Sequence, residues 1–78
     1  MEIYLRHAFR RVDIKVPYDK QFLADLKGQV PASKRFWFRE GGFWSVHAPY
    51  DHVAVDICKA HGQVTHGNGL ASIKWHQF

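Results

Sequence analysis

Arg35, Trp37 and Arg39 stand two apart in the run Lys34-Arg35-Phe36-Trp37-Phe38-Arg39, so on a strand all three project from one side. Guanidinium groups neutralise phosphates, and an exposed indole between them stacks on an unpaired base. That combination is the chemistry of a nucleic-acid contact. Lys34 adds a cation at the start of the run, and Arg11 and Lys15 on another strand extend the same basic surface.

Other residue types point less far. Six histidines and one cysteine raise the question of zinc, with Cys58, His61, His66 and either His52 or His76 as ligands. Their spacing matches no zinc pattern, and Cys58 falls on an apolar helix face where a buried free thiol is the ordinary occupant. The expectation is no metal and no cofactor. Asp19 and Asp51 stand where helices begin, and a capping carboxylate there has a sufficient structural job. His47 with Asp51, or His52 with Asp56, would offer an acid–base pair, yet neither has a second supporting signal. The expectation is that the chain is not an enzyme.

The elements that position these residues follow from periodicity. Arg11-Val12-Asp13-Ile14-Lys15-Val16 alternates with period two, a half-buried strand showing Val12, Ile14 and Val16 to a core and Arg11, Asp13 and Lys15 to the other side. Pro17 stops it. Asp19 caps a helix with Phe22, Leu23 and Leu26 at helical spacing, ended by Gly28. Pro17-Tyr18-Asp19 then returns as Pro49-Tyr50-Asp51, and Gly28-Gln29-Val30 as Gly62-Gln63-Val64. The second helix carries Val53, Ala54, Ile57 and Cys58 on one face. The chain thus contains two strand–helix pseudo-repeats.

Between the helices, two β-prone runs flank Glu40-Gly41-Gly42, the pattern of a hairpin. A three-residue loop would put Phe36, Phe38, Trp44, Val46 and Ala48 in the core layer and Arg35, Trp37, Arg39, Phe43, Ser45 and His47 on the far face, away from the helices. His66-Gly67-Asn68-Gly69 reads as a turn, and residues 70–78 as a last strand with Ala71, Ile73 and Trp75 inward. Residues 3–9 form a further strand, paired or continuous with the one at Val12. The order is β–α–β–β–α–β: an α+β, two-layer fold with a mainly antiparallel sheet of three to five strands and both helices on one face.

Bulk composition agrees with one small domain over residues 1–78. An apolar share of 46%, with three Trp, three Tyr and six Phe, supplies a core without a disulfide, which the single Cys58 cannot form internally. No stretch approaches the roughly 18 apolar residues of a membrane span, and the first residues lack the layout of a signal peptide. The expected setting is the cytoplasm. Eleven Lys and Arg against seven Asp and Glu give a net charge of +4, which favours an anionic partner.

The order Val12-Asp13-Ile14-Lys15-Val16-Pro17-Tyr18-Asp19, then Phe22, Leu26-Lys27, Pro31 and Arg35, then Phe43-Trp44-Ser45-Val46, resembles the HARP domain over residues 9–61. That module sits beside the motor of annealing helicases and related Swi/Snf-type translocases. The resemblance implies recognition of branched or single-to-double-stranded DNA without chemistry. Here it would be a free-standing copy such as a phage or mobile element carries. The sequence therefore leads to a nucleic-acid-binding accessory domain, with DNA ahead of RNA. Its alternative is a protein-interaction module, such as a phage or mobile-element inhibitor docking on a host nucleic-acid-handling complex.

Overall fold

A computed structural model describes residues 1–68; the strand expected over residues 70–78 lies outside them. The period-two segment forms β2, Arg11–Lys15. The opening residues form β1, Glu2–Ala8, and the two pair antiparallel from Tyr4–Lys15 to Ala8–Arg11. Phe9 and Arg10 are the whole of the connection. Val16, just past β2, packs partly buried against the core.

Asp19 caps α1, Lys20–Gln29, and its carboxylate accepts the Phe22 N–H at 2.8 Å, satisfying one of the helix's free donors. The helix runs one residue past Gly28, and buried Val30 closes it by donating its N–H to the Leu26 carbonyl. After Pro31 a single 3-10 turn, Ala32–Lys34, leads into β3, Arg35–Phe38. Then follow β4, Phe43–His47, α2, Asp51–His61, and β5, Gln63–Asn68. The two Pro-Tyr-Asp corners are not equivalent. Asp19 caps α1 through its side chain, whereas Tyr50 is the N-cap of α2 and Asp51 its first residue.

The strands form one sheet in the order β3-β4-β2-β1-β5, antiparallel except for β1 with β5. Ile3, Leu5, Val12, Ile14 and Val46 project from one face and meet Phe22, Leu26 and Val30 of the first helical unit and Ala54, Ile57 and Cys58 of α2. This is the expected α+β, two-layer arrangement, with Trp44 packed at its margin. Burial pushes the Cys58 thiol up to about 12, so it stays protonated and inert. Among the described residues no helix is long and apolar enough to cross a membrane.

Two expectations are corrected. In the hairpin, Trp37 pairs with Trp44 and Phe38 with Phe43, so the loop is residues 39–42, one longer than expected. Gly42 takes a left-handed φ of 66° and returns its N–H to the Phe38 carbonyl at 2.8 Å, a closure that favours glycine. One added residue moves every β3 side chain to the opposite face. Phe36 and Phe38 therefore leave the core layer, and Arg35 and Trp37 turn toward the helix side. Ala48 lies beyond the end of β4.

The second correction concerns His66-Gly67-Asn68, which belongs to β5 and not to a turn. Its partner is β1, distant in sequence, whose free edge takes it in parallel from Glu2–Gln63 to His7–Asn68. Gln63 N–H donates to the Met1 carbonyl at 2.9 Å, and the backbone approaches so closely there that a Cβ on Gly62 would collide with that carbonyl.

Candidate nucleic-acid interface

On the sheet face opposite the helices, β4 presents Phe43, Ser45 and His47, and β3 presents Phe36 and Phe38 beside them. Phe38 and Phe43 stack with centroids 5.1 Å apart, and Phe36 meets His47 edge-on at 4.9 Å. β2 adds Arg11, Asp13 and Lys15, and β1 adds Tyr4 and Arg6. Asp13 is buried beneath two guanidinium groups. Its Oδ2 accepts two hydrogen bonds from Arg6, at 2.9 and 3.1 Å, while Arg11 lies 3.3 Å from Oδ1. The Arg6 guanidinium also sits 5.3 Å over the Phe43 ring.

The expected site residues scatter around this face. Arg11 lies on it, half-exposed and ion-paired. Lys15 lies on it but is buried, with Nζ donating to the Gly41 carbonyl at 2.7 Å, so it braces the hairpin loop rather than offering a charge to a ligand. Arg35 is on the helix side and donates to the Val30 carbonyl at 2.9 Å. Trp37 is on that side too, tilted against Trp44 at 5.2 Å. Arg39 is exposed in the loop and Lys34 precedes β3.

The far face holds a different pair. Phe36 and Phe38, expected in the core, are 41% and 49% exposed, and Trp37 is 51% exposed on the other side of the same edge strand. A run of three aromatics in an alternating strand must show at least one to solvent, and that was the signal for them. The helix side of β3 opens on an apolar groove of about 380 Å³ walled by Val16, Tyr18, Phe22, Leu23, Trp37 and Trp44.

Among the described residues the histidines do not converge, and His76 lies outside them. His61 Nε2 bonds Asp25 at 2.6 Å, tying the end of α2 to α1, whereas His66 stacks on His7 with Nδ1 and Nε2 2.8 Å apart. His52 lies 3.7 Å from Asp51, and His47 rests on Phe36. Among the described residues no three His, Cys, Asp or Glu side chains are grouped to hold a metal ion.

The His7–His66 contact predicts acid sensitivity. Partial burial, then His7, then Lys59 lower the His66 pKa from its ordinary 6.5. Below neutrality the unfolded chain therefore binds more protons than the folded one. The stability that neutral His66 provides is complete above 6.5 and is lost as pH falls through that value toward the lowered one. The melting temperature should drop between about pH 7.5 and about pH 5, and His66→Gln should flatten that dependence. Equal slopes in variant and parent would contradict it.

Comparison with family models, curated proteins and solved structures returns no match to this chain.

Proposed function

We propose that the chain is a small, basic nucleic-acid-binding accessory domain that recognises single-stranded or branched DNA in the cytoplasm and carries out no chemistry. The observation that carries this reading is β3, an edge strand among the described residues. Three consecutive aromatics, 41–51% exposed, project from its two sides between Lys34 and Arg35 at one end and Arg39 at the other. Exposed rings stack on unpaired bases of any sequence while flanking cations neutralise phosphates. The net charge of +4 and the resemblance to the HARP domain point the same way.

A second reading rests on the groove beside β3. An apolar slot next to a strand edge that is unpaired among the described residues also suits a protein segment that adds a strand and inserts a side chain, as a phage or mobile-element inhibitor of a host nucleic-acid-handling complex would need.

Fluorescence anisotropy against single-stranded, duplex and forked DNA at two salt concentrations separates the two. The expected result is tightest binding where bases are unpaired. Phe36→Ala, Phe38→Ala and Trp37→Ala should each lose about 1–3 kcal/mol at nearly constant salt slope. Arg39→Ala should flatten the log–log slope by about 0.7–1. Each variant must melt near the parent. No binding at low salt would end the nucleic-acid reading and leave the protein-partner one.

A further inference from the structure

The β1–β2 hairpin tip combines two features. Phe9 is 89% exposed, the most exposed large apolar side chain among the described residues. Next to it Arg10 has a φ of 58°, the left-handed conformation. A two-residue hairpin loop ordinarily has its positive φ values at glycine, asparagine or aspartate, and an arginine there is strained. Glycine at position 10 would relieve that strain, and a polar residue at position 9 would remove an apolar ring from water. Strain and apolar exposure thus meet at one exposed tip, next to Arg11.

The tip's position indicates what it meets. Arg11 pairs with His47 on β4, the Ala48 N–H donates to the Arg10 carbonyl at 2.9 Å, and Arg35 pairs with Val46. The tip and the Lys34–Arg35 end of β3 therefore lie at the same end of the sheet. β2 and β3 are separated by two strand spacings, on the order of 10 Å. A strand lying along β3 leaves it beside Phe9. We propose that Phe9 is a wedge that inserts beside the first base pair of a single-to-double-strand junction and unstacks it from its paired neighbour, with Arg10 gripping a phosphate there. This inference rests on the nucleic-acid reading and gives it a specificity: β3 holds the unpaired strand, and the tip recognises the fork.

A flat apolar ring beside a cation is the kind of side chain that enters an opened base step. A membrane surface is the alternative partner for such a tip. One phenylalanine with two arginines gives too little apolar burial for stable membrane binding, and the proximity of β3 favours nucleic acid.

The test uses the full chain and a fork carrying 2-aminopurine at the first paired position. Binding of the parent is expected to raise 2-aminopurine fluorescence as the junction base pair unstacks. Phe9→Ala should melt like the parent, bind single strands like the parent, and lose between about 5- and about 150-fold in fork affinity together with the fluorescence rise. Phe9→Trp should restore both. Arg10→Gly should melt at or above the parent yet bind the fork more weakly, an opposition that a structural role alone would not produce. Retention of fork preference and fluorescence rise in Phe9→Ala overturns the wedge, and so does loss of binding to anionic vesicles with DNA binding unchanged. A parent that binds forks no better than single strands also overturns it while leaving β3 as an interface. A parent that binds no DNA removes the underlying reading itself.

Discussion

Replacing Phe22 by Ala is expected to cost about 3–5 kcal/mol, a large share of the stability of so short a chain. Phe22 is fully buried among Leu26 and the sheet residues, meets the His61 ring edge-on at 5.7 Å, and forms one wall of the groove beside Trp44. Its removal opens a void between α1, α2 and β4 that the backbone cannot collapse to fill. Urea titration followed by circular dichroism would show it as a midpoint shifted far to low denaturant. A midpoint near the parent's would mean that α1 is not docked on the sheet by this ring.

Asp13→Asn is expected to follow, at about 3 kcal/mol. The carboxylate is 1% exposed, its Oδ2 receives both Arg6 hydrogen bonds, and its Oδ1 has only the Arg11 guanidinium at 3.3 Å. Asparagine keeps the shape but removes the negative charge between two cations. Because the penalty arises from what is left behind, Arg6→Gln combined with Asp13→Asn should be less destabilising than the sum of the two single variants. Additive losses in that double-mutant cycle would show that the pair is not coupled.

The sequence makes local structure plain where one residue type decides it. Val12 and Ile14 alternate with charges, and Asp19 before Phe22 and Leu26 announces a capped helix; both elements stand where these signals place them. What depends on counting or on distant partners is not written locally. A loop of three or four residues around Gly41 and Gly42 is equally compatible with the flanking runs, yet the choice decides whether Trp37 or its neighbours Phe36 and Phe38 face the helices. His66-Gly67-Asn68 has the composition of a turn, and only the free edge of β1 makes it a strand. The same difficulty reached the candidate site. The cations at Arg35, Arg39 and Arg11 were visible as types, whereas the hydrogen bonds that engage Lys15 and Arg35 depend on the tertiary fold.

The lone thiol of Cys58 gives this fold a built-in clock. It lies in the layer between α2 and the sheet, fully enclosed and held protonated by its surroundings, so an alkylating reagent reaches it only when that layer opens. The rate of its modification then reports how often the layer opens. Occupancy of either candidate surface by a partner can be followed, without any introduced label, as a slowing of a single chemical reaction.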